Sequence, residues 1–240
     1  TQQGEDMASK SGPDIIEDGL VLCLDAASKR SYPGAGTTWT DLKGSNNGTL
    51  TNGPTFDAGN GGSIVFDGAN DSVSFSSLPA GFQAGMTNYT ISIWFKLISR
   101  KEGPLLEMGN TNADYKRIMF WLTNDSPKNR LYALGADNNS YRYSSVYLDL
   151  NTVYNSVYTY NNTGTVSKLY IDSIEDTGLS GQTTNGLLTE LANTWRIGAD
   201  SVYNQSYTQN ANVYNVSLYT KTLTADEIRR NYLSTKERFA

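Results

Sequence analysis

The chain has 240 residues, a net charge of −5, one cysteine and no histidine. The missing imidazole excludes Ser-His-Asp and Cys-His hydrolases, histidine zinc sites and proton shuttling by histidine. Lys and Arg are scattered and no apolar run approaches the roughly 20 residues of a membrane span, so neither nucleic-acid binding nor membrane insertion is expected.

The composition favours β-strands and turns. The chain holds 16 Tyr and 22 Gly, and only 18% of its residues are charged. Such a chain is within the size range of one large all-β sandwich or barrel. The lone Cys23 stands in an apolar segment, which is typical of a small core residue.

Residues 1–18 show no hydrophobic periodicity and predict a flexible N-terminal arm, with one domain over residues 19–240. Met7 followed by Ala8 and Ser9 resembles a translation start, which would make residues 1–6 an upstream extension. N-terminal sequencing of the native protein tests this expectation.

Strand-like runs follow the arm, separated by Asn-Gly, Asp-Gly and Gly-Gly turn signals such as Asp67-Gly68. The predicted strands are Leu20–Leu24, Ser63–Phe66, Ser72–Phe75, Tyr89–Ile98, Lys116–Leu122, Arg130–Leu134, Ser140–Leu148, Thr152–Tyr160, Val166–Asp172, Thr194–Gly198 and Val213–Tyr219. In Tyr89–Ile98 apolar residues alternate with Thr90, Ser92 and Lys96, which indicates an antiparallel sheet with one buried face. Many short strands with such turns predict an antiparallel two-sheet β-sandwich.

A short helix is predicted at the end of the chain. Thr224 and Glu227 form a capping box, in which each side chain can satisfy a backbone N–H of the other. Ile228 and Tyr232, four residues apart, share the face that would lie against the sandwich.

Several blocks together resemble the laminin-G-like jelly rolls of the concanavalin A-like lectin/glucanase superfamily. They are Asp18–Ala26, Ser31–Leu42, Asn47–Phe56, Ser63–Ser74, Tyr89–Trp94, Trp195–Gly198, Val213–Tyr219 and Leu223–Ile228. The resemblance implies a jelly roll over nearly all of residues 18–238, a tight turn at Asp67-Gly68, and core positions for Trp94 and Trp195.

The segments DGLVLCLDAASKRSYPGAGTTWTDL and RRNYLSTKERF are similar to domains of tailed-bacteriophage virion proteins. This resemblance implies a non-enzymatic virion surface protein: a capsid decoration, fibre or tail-associated adhesin that contacts capsid or tail proteins and binds host or environmental glycans. A purely structural capsid cement protein, a secreted or cell-surface lectin, and a homo-oligomer remain open alternatives.

A glycoside hydrolase is the main catalytic alternative, and it would need two carboxylates across a cleft. The strand pattern Glu-x-Asp-x-x-Glu of glucanases is missing. The acidic residues near strands never stand two apart on one face; they are Glu107, Asp114, Asp149, Asp172 and Asp176. No catalytic residue is therefore assigned.

No cofactor is expected, although calcium stays open as an alternative. Asp67, Asn70, Asp71 and Asp200 carry oxygen donors of the kind calcium takes. The same residues are common in turns without any metal.

Two tyrosine-rich segments are the candidates for sugar binding, namely Asn138–Tyr143 and Tyr203–Tyr207. Sugar sites pair an aromatic ring with polar partners, so the candidate ligand-binding residues are Tyr141, Tyr143, Tyr203 and Tyr207. Tyrosine suits subunit contacts equally well, so the sequence favours neither sugar binding nor subunit contact for these residues.

Overall fold

The computed structural model describes residues 14–109, 117–124, 128–135, 141–162, 167–181, 191, 194–201 and 207–239. Predicted site residue Tyr203 and the acidic residue Asp114 lie outside these ranges. Within them, no helix combines the length and the apolar character needed to cross a membrane.

The described residues form sixteen strands and one α-helix. The strands are β1 (Leu20–Asp25), β2 (Thr38–Trp39), β3 (Gly48–Thr51), β4 (Thr55–Asp57), β5 (Ser63–Asp67), β6 (Ser72–Phe75), β7 (Asn88–Leu97), β8 (Gly103–Gly109), β9 (Arg117–Thr123), β10 (Asn129–Leu134), β11 (Tyr141–Leu148), β12 (Val153–Asn161), β13 (Lys168–Ile171), β14 (Ile174–Glu175), β15 (Trp195–Ile197) and β16 (Asn210–Tyr219). The helix, α1, spans Ala225–Phe239.

The strands build two antiparallel sheets that pack face to face. Sheet A has the order β14-β13-β12-β7-β16-β5-β4. Along the same edge of β16, β5 pairs with the N-terminal half of the strand and β1 pairs with its C-terminal half. Sheet B has the order β11-β10-β9-β8-β15-β6-β3-β2. The predicted two-sheet sandwich with a C-terminal helix is confirmed.

The core lies between the sheets because alternate side chains of each strand point inward. On β7 the predicted alternation places Tyr89, Ile91, Ile93, Phe95 and Leu97 in this core, all fully buried. From sheet B, Trp195 enters the same core and stacks on Phe75, with ring centroids 3.6 Å apart and planes 5° apart.

Helix α1 covers the outer face of sheet A. Its capping box forms as predicted: the Glu227 N–H donates to Thr224 Oγ1 at 3.3 Å, and the Thr224 N–H donates to Glu227 Oε2 at 2.8 Å. Tyr232 stacks on Trp94, with centroids 5.4 Å apart. Trp94 is therefore buried under the helix and not between the two sheets.

The last residues of the predicted arm contact this helix. The Ile16 N–H donates to Asn231 Oδ1 at 2.7 Å, and Arg230 Nε donates to the Asp14 carbonyl at 2.9 Å. Ile15 and Ile16 pack against the apolar cluster beneath α1. Residues 14–16 are thus held against the domain.

All eleven predicted strands are present, with ends that differ from the prediction by at most three residues. Five strands were not predicted. They are β2, β3, β4, β8 and β14. Of these, β8 bears most on function, because it crosses the middle of sheet B and is buried along its whole length.

Candidate functional site

The outer face of sheet B carries an aromatic surface on strands β9, β10 and β11. On β9, Ile118, Phe120 and Leu122 face the core, so Met119 and Trp121 face away from it. The same alternation on β10 and β11 turns tyrosines outward. The side of sheet B opposite the core is therefore the aromatic one.

Strand register aligns three of these rings in a line across the sheet. Tyr132 of β10 lies opposite Tyr143 of β11 on one side and opposite Trp121 of β9 on the other. The Tyr132 and Tyr143 rings are 4.7 Å apart, tilted by 45°. Tyr207 packs on Trp121 at 5.0 Å. We call Tyr143, Tyr132, Trp121 and Tyr207 the aromatic row.

Further side chains border the row. The Tyr141 ring lies 5.8 Å from that of Tyr132 and 5.7 Å from that of Tyr143. The Arg130 guanidinium lies 5.5 Å from the ring centroids of both Tyr143 and Tyr147, a cation–π arrangement that fixes these side chains. Tyr147 is 47% exposed, so this border is open to a ligand.

Next to the aromatic row the outer face carries a buried ion pair. Arg117 Nη1 lies 3.0 Å from Glu107 Oε1, and the Ser201 N–H donates to Glu107 Oε2 at 3.2 Å. Burial raises the pKa of Glu107, while the Arg117 charge opposes that rise. Both carboxylate oxygens of this buried residue are thus engaged within the protein.

A second arginine lies beside this pair on β15. Arg196 is opposite Glu107 in the strand register, and its Nη1 donates to the Asp200 carbonyl at 2.8 Å. The carboxylate of Asp200 accepts the Tyr207 N–H at 2.7 Å. The segment around Asp200 therefore connects the arginine with the end of the aromatic row.

The structure brings three of the four predicted site residues to this surface. Tyr141 and Tyr143 lie on strand β11, and Tyr207 packs on Trp121 at the end of the row. Sequence analysis missed Trp121 and Tyr132. The alternation within β9 and β10 would have placed both on the face opposite the core.

The carboxylates weighed for hydrolysis are spread over the molecule. Asp149 pairs with Lys128 at 2.6 Å, and Asp172 Oδ1 accepts the Asn155 N–H at 2.8 Å. Asp176 accepts hydrogen bonds from serine side chains of β11. Each of these groups already has a partner within the fold.

Two of the candidate calcium ligands, Asp67 and Asp71, act as turn residues. Asp67 Oδ1 accepts the N–H two residues further on at 2.7 Å, and Asp71 Oδ2 accepts the Asp67 N–H at 3.0 Å. The Gly68 carbonyl binds the Lys101 ammonium. Within the described ranges no three Cys, Asp or Glu side chains form a group that could hold a metal ion.

A small cavity lies on the opposite side of the molecule, between α1 and sheet A. Its volume is about 60 Å³, and its polar lining includes Ser92, Asn155, Asn215 and Ser217. Ligand pockets commonly measure about 300–1,000 Å³. This cavity has room for about four to six water molecules, at roughly 10–15 Å³ each, and not for a sugar ring.

Comparison with known proteins places the fold. The family model Laminin_G_3, of the concanavalin A-like lectin/glucanases superfamily, matches residues 67–229, about two thirds of the chain. No curated protein matches the chain.

The solved structures that share the fold have low sequence identity to this chain. Trypanosoma rangeli sialidase, in a covalent intermediate with 2,3-difluorosialic acid, matches with a TM-score of 0.64 and 19% identity over 93% of this chain and 34% of that chain. The chain thus spans about a third of the sialidase. At such identity the likeness concerns the fold.

Two smaller domains match equally well and were solved with sugars bound. The ligand-binding domain of botulinum neurotoxin serotype D, in complex with N-acetylneuraminic acid, has a TM-score of 0.64 and 15% identity over 90% of this chain and 50% of that chain. Domain 4 of AbnA, an extracellular arabinanase from Geobacillus stearothermophilus, in complex with arabinotriose, has a TM-score of 0.64 and 14% identity over 90% of this chain and 100% of that chain.

Proposed function

The chain belongs to the concanavalin A-like lectin/glucanases superfamily, and from this premise we propose that it is a non-enzymatic glycan-binding domain that uses the aromatic row. The observation that carries the proposal is the alignment of Tyr143, Tyr132 and Trp121 across three neighbouring strands. The botulinum and arabinanase domains, solved with sugars, support a sugar ligand for this fold.

The geometry of the row suits a carbohydrate. Tyrosine offers an apolar ring face to the C–H groups of a sugar and a polar edge to its hydroxyls. Tyr132 and Tyr143 are half-buried and Tyr207 is exposed, whereas Trp121 is 8% exposed and supports the row from within. Neighbouring strands lie about 4.8 Å apart, so rings on three strands extend over roughly 10 Å. The ring planes of Tyr132 and Tyr143 are tilted by 45° to each other, which makes the surface uneven. Such a surface suits a soluble, flexible polysaccharide better than the flat face of a crystalline one.

Absence of catalysis is part of the proposal. Glu107, a fully buried acidic residue near the row, has its carboxylate bound by Arg117 and by the Ser201 N–H. A glycosidase needs one carboxyl group free to protonate the leaving group and a second to act as base or nucleophile. Release of reducing ends from any polysaccharide that the protein binds would contradict this part.

A glycan array followed by titration calorimetry tests the binding surface. Tyr132→Ala removes the central ring of the row, and we expect affinity for the array hits to fall about tenfold or more, as for a central aromatic contact of an interface. Ile174→Ala is the matched control, since Ile174 is 73% exposed on β14 at the edge of sheet A. Equal loss in both variants, or none in Tyr132→Ala, would refute the assignment.

For the biological setting we propose the surface of a tailed-phage particle, where the domain decorates the capsid or a tail structure. The similarity of residues 18–42 and 229–239 to virion domains supports this placement. Many copies on one particle would strengthen weak sugar binding through multivalency. Mass spectrometry and cryo-EM of purified particles test it: absence from particles would favour a secreted or cell-surface lectin.

A purely structural cement protein is the second candidate, because aromatic surfaces also form protein interfaces. An array without hits, together with tight binding of the domain to capsids, would select this function over glycan binding.

A further inference from the structure

We infer that the binding surface selects glycans bearing a carboxylate and that Arg196 binds this group; the inference rests on the proposed function. Arg196 faces the same side of sheet B as the aromatic row, because its neighbours on β15, Trp195 and Ile197, point into the core. Its side chain is half-buried and is held by one hydrogen bond, from Nη1 to the Asp200 carbonyl at 2.8 Å.

The acidic groups around Arg196 are engaged elsewhere. Glu107, opposite it in register, pairs with Arg117 at 3.0 Å. The Asp200 carboxylate accepts the Tyr207 N–H at 2.7 Å and offers Arg196 only its backbone carbonyl. In the part of the chain that the structure describes, no carboxylate oxygen lies at ion-pair distance from the Arg196 guanidinium.

The guanidinium edge left over by this arrangement fits a carboxylate. Since Nη1 is engaged by the Asp200 carbonyl, Nε and Nη2 remain for a ligand. These two nitrogens form the edge of a guanidinium that donates two parallel hydrogen bonds to the oxygens of a carboxylate. A lysine at this position could supply the charge but not the paired geometry.

Arg196 lies close enough to the aromatic row to act on the same ligand. Its strand β15 is two strands away from β9, and Arg196 aligns through Glu107 with Met119, two residues before Trp121. Two strand spacings and two residues along the strand place Arg196 roughly 12 Å from Trp121. Tyr207, which packs on Trp121, is tied by its backbone N–H to Asp200, the residue that holds Arg196. Tyr207 is 38% exposed, whereas Trp121 is only 8% exposed. A sugar seated on Tyr207 would direct a carboxylate substituent toward Arg196, so uronic and sialic acids are the expected ligand class.

The test is a glycan array in which each uronic-acid or sialic-acid oligosaccharide stands beside its carboxyl-reduced neutral counterpart and beside a sulfated neutral glycan. Wild-type protein is compared with Arg196→Met, which keeps the apolar stem, and with Arg196→Lys, which keeps the charge. Tyr132→Ala reports on the aromatic row alone. Thermal melting of each variant confirms that it is folded.

We expect the acidic member of each bound pair to be held about tenfold more tightly than its reduced counterpart, the effect of a hydrogen bond to a charged group. Arg196→Met should abolish this preference and Arg196→Lys should restore part of it, while Tyr132→Ala weakens both members alike. Hits confined to neutral or sulfated glycans, or a preference that survives Arg196→Met, would overturn the inference and leave the proposed function standing. An array without any hits would overturn the proposed function itself.

Discussion

Replacing Arg117 by methionine should destabilise the domain strongly, because it leaves a buried carboxylate without its counter-charge. The Glu107 side chain is 0% exposed and that of Arg117 is 10% exposed. After the substitution Glu107 keeps the Ser201 N–H at 3.2 Å. Removing one partner of a buried ion pair costs about 3–5 kcal/mol, a large part of the 5–15 kcal/mol that stabilises a typical domain.

The loss should depend on pH in a defined direction. Burial raises the pKa of Glu107 above its ordinary value of 4.5, and Arg117 opposes this rise. A group with a raised folded pKa contributes stability below its unfolded pKa, and this contribution disappears as pH rises through the folded pKa. Arg117→Met removes the opposing charge and lifts the folded pKa further. The deficit relative to wild type should therefore be larger at pH 7 than at pH 5.

Urea denaturation followed by tryptophan fluorescence at pH 7 and pH 5 measures both effects as free energies of unfolding. The control is Lys128→Met, which breaks the exposed pair with Asp149 and should cost less than about 1 kcal/mol. The double variant Glu107→Leu/Arg117→Met should be more stable than Arg117→Met alone, since no charge is then left buried. A loss below about 1 kcal/mol in Arg117→Met, or a deficit that does not shrink at pH 5, would refute this reasoning.

Three further substitutions probe other parts of the fold by urea denaturation. Thr224→Ala should cost about 1 kcal/mol, because the Glu227 N–H loses its cap; an unchanged midpoint would show that the cap is dispensable. Gly198→Ala should cost about 2–4 kcal/mol, since Gly198 has φ 83° and an added Cβ would overlap the Phe66 ring; a loss below about 1 kcal/mol would contradict this. Asp176→Asn should cost about 1–3 kcal/mol at neutral pH. Burial raises the pKa of Asp176, but four hydrogen bonds together lower it by more than burial raises it, so the folded pKa lies below the ordinary value. The stabilising contribution of Asp176 is therefore present above the ordinary pKa and lost as pH falls through the folded pKa. The wild-type advantage should thus vanish in acid, and an advantage independent of pH would count against the assignment.

The sequence allowed prediction wherever structure depends on neighbours along the chain. The strand β7 followed from strict alternation, and the helix followed from the capping box at Thr224 and Glu227. Both signals lie within ten residues. They determine the element before any tertiary contact is known.

Strand β8 escaped prediction because its character depends on a distant partner. It begins with Gly103 and Pro104, and it carries Glu107, a residue normally found at the surface. Only Arg117, ten residues away on β9, makes a buried carboxylate acceptable there. No local pattern reveals such a pair.

The aromatic row was only half predictable for a similar reason. Tyr143 and Tyr207 stand in tyrosine-rich segments, whereas Trp121 and Tyr132 stand alone in apolar strands. Their participation depends on which strands are neighbours and in which register they pair. Register is set by the whole sheet, and a shift of one residue would turn these rings to the other face.

The pairing of β10 with β11, which forms the row, contains a register shift, and Asp176 stabilises this shift. Arg130 pairs with Tyr147, so regular pairing would place Ser145 opposite Tyr132; instead the strand shifts and Tyr143 takes that place. Asp176 accepts hydrogen bonds from the Ser145 N–H at 2.7 Å and from the Ser145 hydroxyl at 2.5 Å. These bonds satisfy Ser145, the residue that the shift removes from regular pairing. Asp176→Asn should therefore weaken glycan binding as well as stability, although Asp176 lies outside the row. Calorimetry with an array hit at a pH where the variant is fully folded tests this, and wild-type affinity there would show that the shifted register does not need the carboxylate.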